Sequence, residues 1–205
     1  MRFLKVIIDF LTAAVGLVSL ASLFFIIAVL IKLDSKGPIF FKQKRVGQNG
    51  KIFTMWKFRT MVEGAGEKEK ELSSSEEELS SFSSEHDPRI TKVGRFLRIW
   101  TLDEWPQLIN VLKGEMSLVG PRPLPQYRIE KYNVDKKRLS VKPGMVSLVD
   151  IKGRNLVSWN KRFEYDIWYI ENWSLLLDLK ILFLTPFVVL SRKGVYSRSS
   201  QKRRS

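Results

Sequence analysis

The alternation of apolar and polar positions separates an apolar N-terminal run from a longer mixed body. Residues 10–31, FLTAAVGLVSLASLFFIIAVLI, carry no charge. As a helix rising about 1.5 Å per residue, this run reaches ~33 Å, about one hydrocarbon core. It is too long for a buried globular helix. It also lacks the short apolar core and small-residue cleavage site of a removed signal peptide, so it predicts a retained anchor. No proline interrupts it. Gly16, Ser19 and Ser22 are places where a bend could form, and both a spanning helix and a re-entrant hairpin fit the pattern. Asp9, at the edge of the run, could stay at the bilayer interface.

Past the anchor the periodicity changes. GPIFFKQKRVGQNGKIFTMWKFRTM, residues 37–61, predicts two strands around Asn49 and Gly50, because a tight hairpin needs positive φ at both central positions. Residues 92–100, KVGRFLRIW, predict a short basic amphipathic helix with Arg95 and Arg98 on one side. A Pro- and Gly-rich loop follows at 114–125. Residues 126–139 read as helical, and 141–155 as a turn, a strand and a Gly-Arg turn. From Trp159 onward, Phe163, Ile167, Ile170, Leu177, Ile181 and Leu184 recur at helical spacing. With Trp159, Trp168 and Trp173 among charges, this segment predicts either a helix lying in the headgroup layer or a core stripe. The expected fold class is α+β and mainly helical. It comprises an anchoring helix over 1–35, a body with a β-hairpin over 36–190, and a basic disordered tail over 191–205.

Charge sharpens the picture. The 205 residues carry a net charge of +14. Residues 63–87 hold nine acids and two lysines, so the remainder is more basic still, at +21. That serine-rich stretch predicts a mobile loop or short surface helix, serving as a lid or spacer. So basic a body calls for an anionic partner: phosphates, nucleic acid or anionic lipid. Arg2 and Lys5 precede the apolar run and the other basic residues follow it, which predicts a cytoplasmic body. Without cysteine the chain has no disulfides and no thiolate zinc site. His86, the only histidine, reads as a turn residue.

Candidate chemistry concentrates in TLDEWPQLINVLKGEMSLVGPRP, residues 101–123. Thr101 and Glu104 match a capping box, but Pro106 would then lie where its missing N–H costs a hydrogen bond. Asp103 as N-cap is easier, with Gly114 ending the helix. The chemical reading competes with this. A carboxylate is already ionised at neutral pH and can attack phosphorus without a base, and an adjacent one can hold Mg²⁺. Arginines at 95, 98, 122 and 154 surround the motif in sequence. Lys57 and Arg59, two apart on a strand, project from one face and could grip a diphosphate or simply face solvent. No G-x-x-x-x-G-K-[ST], G-x-S-x-G, H-E-x-x-H or D-x-D pattern is present.

These stretches, with VKPGM, KGRN and FEYDIWYI…LDLKI, resemble the monotopic phosphoglycosyl transferases, bacterial sugar transferases that begin lipid-linked glycan assembly. The resemblance runs over roughly residues 2–185. It implies transfer of a phospho-sugar from a UDP-sugar to polyprenol phosphate, with release of UMP, at the cytoplasmic face of the bacterial inner membrane. It implies Asp103 as nucleophile and Mg²⁺ ligand. Glu104 would assist with the metal or the acceptor's proton. Arg122, between Pro121 and Pro123, would hold the uridine end, and Arg154 and Arg98 would contact phosphate. Membrane lipids are expected partners and nucleic acid is not; a non-catalytic basic tether is the alternative. The resemblance favours a re-entrant helix, although small members commonly break theirs at Ser-Pro and this chain has Ala21-Ser22. Many members carry Gln where this chain has Asp150.

Overall fold

The computed structural model describes residues 2–65 and 87–195. Most of the acidic stretch, including His86, and tail residues 196–205 lie outside the described residues. The apolar run is not one helix. It forms α1 (Arg2–Ser19) and α2 (Ala21–Asp34), which meet at a 61° bend. Among the described residues no single helix is long and apolar enough to cross a membrane; the bent pair has the length and composition of a broken span or a re-entrant loop. The bend needs no proline. Ser19 Oγ donates to the Val15 carbonyl at 2.6 Å, and Leu20 leaves helical geometry at φ −97°, ψ 4°. Back-bonding of this kind bends helices.

Both ends of the bent pair are fastened to the same body. Near the start of α1, Lys5 Nζ donates to Asp178 Oδ2 at 2.5 Å and to the Val119 carbonyl at 3.1 Å. Asp9 accepts from Ser117 Oγ at 2.7 Å and from the Leu118 N–H at 3.3 Å. Asp9 is therefore 7% exposed: a buried carboxylate needs donors, and Ser117 and Leu118 supply them. At the far end, Asp34 accepts from the Val93 N–H at 2.9 Å. Arg59 donates to the carbonyls of Ile31, Ser35 and Lys36, closing the C-terminus of α2.

β1 (Phe40–Val46) and β2 (Ile52–Phe58) pair antiparallel, with Gln43 opposite Met55. Asn49 and Gly50 take φ 55° and 77° at the turn, as the Asn-Gly signal predicts. Phe24 of α2 meets Phe58 edge-on at 5.2 Å and Phe40 stacks on Phe58 at 5.5 Å, joining the hairpin to α2. α3 (Lys92–Ile99) begins at a Thr91 cap and lies so close to β2's end that a Cβ at Gly94 would sit 2.1 Å from the Thr60 carbonyl oxygen. The 3₁₀ turn Leu102–Gln107 leads into α4 (Leu108–Leu112), which packs on α1 where Gly16 admits Leu108.

β3 (Ser117–Val119) pairs parallel with β4 (Gly144–Val146). Between them lie α5 (Gln126–Lys131) and the 3₁₀ turn Lys136–Ser140, so the helix expected over 126–139 is broken in two. Of the turn, strand and Gly-Arg turn expected over 141–155, the strand is only β4, and α6 (Leu148–Lys152) stands between it and the Gly153-Arg154 turn. The C-terminal stripe forms α7 (Trp159–Glu171) and α8 (Leu175–Ser191), separated where Ser174 caps α8. Ile170, Leu177 and Ile181 face the core, which settles the stripe as packing. A second apolar face of α8 is exposed instead: Leu176, Leu179, Phe183, Phe187 and Leu190. Of the three tryptophans, Trp168 faces outward, Trp173 Nε1 donates to Asp178 at 3.0 Å, and Trp159 stacks on Tyr132.

Asp178 thus gathers Lys5, Trp173 and Tyr169, whose hydroxyl donates to it at 2.6 Å. Asp178→Ala strands three buried donors and should cost about 3 kcal/mol. Chemical unfolding should show the loss, and limited proteolysis should cut within α1. An unchanged midpoint would mean that α1 is held by apolar packing alone.

Candidate active site

The site begins with a strained backbone. Thr101 sits in the left-handed region at φ 58°, a conformation that costs a β-branched residue of order 1–3 kcal/mol. Arg154 Nη2 donates to Thr101 Oγ1 at 2.7 Å, and Arg154 itself has φ 53°. The strained Thr101 redirects the chain from α3 into the 3₁₀ turn that carries Asp103 and Glu104. Neither acid caps a helix. Thr101 takes the N-cap position without a side-chain bond, and Asp103 lies inside the turn. Pro106 falls in this 3₁₀ segment, and Gly114, at φ 72°, ends the helical run. Asn110 fixes the run against β2: its Nδ2 donates to the Thr54 carbonyl at 2.7 Å and its Oδ1 accepts from the Trp56 N–H at 3.1 Å. Lys57 is the next residue.

The two acids have different surroundings. Glu104 is 6% exposed and held by cations on both oxygens. Lys57 Nζ donates to Oε1 at 2.6 Å, and Arg122 reaches Oε2 at 3.1 Å and Oε1 more closely. Burial would raise the Glu104 pKa, but Arg122 and Lys57 outweigh it and hold the carboxyl well below the usual range. Among the described residues the ion-pair partner of Asp103 is Lys57, at 4.0 Å, with Arg98 and Arg122 acting from farther off. Burial pushes its carboxyl above the ordinary 3.8; Lys57 opposes this and Glu104 reinforces it. One carboxylate is locked and firmly ionised. Its neighbour is uncommitted and more basic.

A cavity of about 500 Å³ opens over the pair, lined by Asp103, Glu104, Lys57, Arg98, Arg122 and Arg154. Most of the residues expected from the sequence therefore converge. Arg59 reaches the cavity wall, but its guanidinium is directed to the end of α2, so it does not work beside Lys57 as the two-residue spacing suggested. Pro121 and Pro123 act through their backbone: the Pro121 carbonyl accepts from Gly144 at 2.9 Å and the Pro123 carbonyl from Arg45 at 3.1 Å. Arg122 is held out on a braced loop.

Four arginines were not singled out in the sequence: Arg45, Arg128, Arg138 and Arg162. They line a second cavity of about 260 Å³ that shares Glu104, Arg122 and Arg154 with the first. Two of them brace others. Arg138 pairs with buried Asp166 at 2.7 Å and donates to the Arg122 carbonyl, and Arg162 donates to the Arg154 carbonyl at 3.1 Å. Burial, then repulsion from Arg122, lowers Arg162 to about 10, and the same two effects, joined by Arg128, lower Arg45 to about 10. Both stay charged at neutrality in surroundings that favour an anion. The only advance signal was helical spacing between Arg162 and Asp166. Asp150 closes a capping box with Ser147 and lines this cavity; Gln there would cap equally without the charge.

The acids make stability contributions of opposite sign. The depressed pKa of Glu104 gives stability present above its ordinary 4.5 and lost as pH falls through the folded value. The raised pKa of Asp103 makes its ionised form a cost at neutral pH, relieved as pH falls toward 3.8. At pH 7, Glu104→Gln should lose on the order of 2 kcal/mol, whereas Asp103→Asn should raise the melting temperature. The Asp103→Asn gain should vanish below about pH 4. Calorimetry across pH checks both, and a fall in melting temperature for Asp103→Asn would contradict the assignment.

Comparison with known proteins agrees with this geometry. Residues 1–192 match the family model for bacterial sugar transferases. An uncharacterized sugar transferase of Bacillus subtilis, EpsL, is 43% identical over 187 residues, 90% of this chain and 87% of that protein. An undecaprenyl-phosphate galactose phosphotransferase of Salmonella typhimurium is also 43% identical, over 201 residues. A UDP-glucose:undecaprenyl-phosphate glucose-1-phosphate transferase of Klebsiella pneumoniae is 40% identical over 200. These alignments take in 95% and 92% of this chain but only 42% and 40% of those two longer proteins. With an acid pair set among arginines and a family match over nearly its whole length, the chain belongs to the bacterial sugar transferases.

Proposed function

We propose that the protein transfers a sugar-1-phosphate from a UDP-sugar to polyprenol phosphate, with Asp103 as the nucleophile. The observation that carries this reading is the asymmetry of the acid pair: Glu104 is saturated by Lys57 and Arg122, while Asp103 faces the cavity uncommitted. An Asp103 oxygen attacks the sugar-bearing phosphorus, and the bond from that phosphorus to the bridging oxygen breaks. UMP leaves. A phosphate oxygen of the lipid acceptor then attacks the same phosphorus, the bond to Asp103 breaks, and the carboxylate is restored. The acceptor is a phosphate monoester, largely ionised at neutral pH, so it needs no strong base. Glu104, held at low pKa, is a poor proton carrier, and its part in this reading is to fix Lys57 and Arg122 beside the diphosphate. The relatives named above include a transferase of UDP-glucose onto undecaprenyl phosphate, which supports the same donor and acceptor classes here.

Among the described residues no cluster of three metal-binding side chains exists. Mg²⁺ fits as an ion bound with its substrate, because it commonly takes one or two carboxylates and completes its shell with phosphate oxygens and water. Asp103 would be its protein ligand, and the ion would neutralise charge on the diphosphate. A non-catalytic basic tether is less well supported, since Arg122, Arg154 and Arg162 face cavities rather than an open surface.

The acceptor's hydrocarbon tail requires the site to lie at a bilayer surface. We assign that contact to the exposed faces of α1 and α2, including Phe10, Val18 and Phe25, and to the exposed face of α8. Since Lys5 and Asp34 are both bonded to the same body, the bent pair is read as entering and leaving one leaflet, with the body on the cytoplasmic side.

Asp103→Asn should abolish UMP release from UDP-sugars in the presence of polyprenol phosphate, and UDP-sugar alone should label wild-type protein in a rapid quench. Retained turnover would refute the nucleophile. Loss of activity at acid pH should begin above the ordinary carboxylate range. For topology, the absence of native cysteine makes single-site labelling clean: Phe3→Cys and Lys36→Cys should both be shielded from reagents added to the periplasmic side. Labelling of Phe3→Cys alone would establish a span.

A further inference from the structure

After α8 ends at Ser191, the chain turns back toward the acid pair. Arg192 takes φ 54°, its N–H donates to the Val189 carbonyl at 3.0 Å, and its guanidinium lies over the Trp100 ring at 4.7 Å. The next residues lie against the turn that carries Arg154. Asn155 donates from its N–H to the Gly194 carbonyl at 3.2 Å and from Nδ2 to the Val195 carbonyl at 2.8 Å. The approach is tight enough to require glycine: at φ 69°, a Cβ on Gly194 would lie 2.5 Å from the Gly153 carbonyl oxygen and 3.0 Å from Arg154 Cβ. Val195 reaches the wall of the Asp103 cavity.

We propose that residues 192–195 form a strap that positions Arg154, with Gly194 and Asn155 as its positioning residues; this rests on the phosphate-binding role given to Arg154 above. Arg154 occupies a backbone conformation that a non-glycine residue holds only when its surroundings impose it. Two sides impose it. Arg162 grips the Arg154 carbonyl from α7, and the strap packs across Gly153 and Asn155. The result is a guanidinium with one arm on Thr101 Oγ1, two residues before Asp103, and the other arm, Nη1, buried without a partner. Both cavities are lined by this residue. A buried unpaired N–H of a cation is a costly group that a phosphate oxygen would satisfy. The strap keeps that arm in place, and it does so from the end of the helix whose outer face is apolar. Seating of α8 and the aim of Arg154 are therefore mechanically joined.

The test uses full-length protein in detergent and titrates UDP by calorimetry. Arg154→Ala sets the reference loss. Gly194→Val should weaken UDP binding about tenfold, and Asn155→Ala several-fold. Combined with Arg154→Ala, Gly194→Val should add less than a twofold further loss, because both act through one guanidinium. A strap that merely stabilised the fold would give multiplying losses. UDP affinity within twofold of wild type for Gly194→Val, or multiplying losses, would overturn the proposal. If Gly194→Val does not fold, Asn155→Ala and its double mutant with Arg154→Ala carry the same test. A wild-type protein that binds UDP but releases no UMP from UDP-sugars would defeat the transfer reading, while the strap would still be judged on UDP affinity.

Discussion

A lysine and an aspartate near the start of an apolar helix must find partners or remain exposed to water. Lys5 and Asp9 find them in Asp178, Val119, Ser117 and Leu118. Much of the structure depends on that requirement. It brings α1 onto β3 and α8, lays Leu108 against Gly16, and so sets α4 and the acid-bearing turn beside a helix with an outward apolar face. The Ser19 back-bond and the bend at Leu20 then return α2 to the hairpin, where Arg59 and Val93 receive its end. A straight helix could not satisfy Lys5 and Asp34 from one body, because its ends would lie a bilayer's thickness apart.

The acid pair is a second case in which surroundings rather than residue type decide the role. Asp103 and Glu104 are adjacent and chemically alike. Glu104 points between Lys57 and Arg122 and becomes a fixed anion that organises two cations. Asp103 sits one residue away, desolvated and beside a like charge, and keeps a more basic carboxylate with nothing bound tightly to it. Arginines brace the arginines nearest the acids: Arg138 holds the backbone at Arg122 and Arg162 the backbone at Arg154. Fixing the backbone holds each guanidinium at the cavity before any ligand arrives, a preorganisation that the proposed phosphoryl chemistry would use.

The sequence made the hairpin and the apolar run legible because each rests on local rules, positive φ at Asn49 and Gly50 and uninterrupted hydrophobicity; the acid pair had an adequate capping role as well and stood out only through the motif around it. Arg122 and Arg154 were legible from their motifs. What stayed hidden was tertiary. Nothing in the spacing of Lys57 and Arg59 distinguishes a cation facing a cavity from one that closes a helix end. The left-handed Thr101 has no sequence signature, since a β-branched residue is disfavoured there. The stripe from Phe163 to Leu184 was read correctly as helical, but its period could not tell core from lipid; the exposed face proved to be a second one, on α8. Asp9 looked peripheral because the donors that bury it lie more than a hundred positions away.

In the proposed reaction a water-soluble diphosphate and a membrane-embedded phosphate would meet at one nucleophile, which poses a problem of depth: a site too far above the headgroups cannot reach the lipid and one too deep excludes the nucleotide. Three attachments bear on this here. α1 fixes the height of α4 through Leu108, the Asp178 cluster fixes α8 against α1, and α8 continues into residues that lie on the turn of Arg154. Arg154 in turn bonds Thr101, which shapes the turn of Asp103. The chain of contacts runs without a gap from the apolar face of α8 to Asp103, so a shift in how α8 sits would be transmitted to the residue proposed to meet phosphorus. Rigidity along that path has a physical source: its links are hydrogen bonds and close packing contacts, and the ion pair among them, Lys5 to Asp178, is largely shielded from the salt and solvent that weaken exposed pairs.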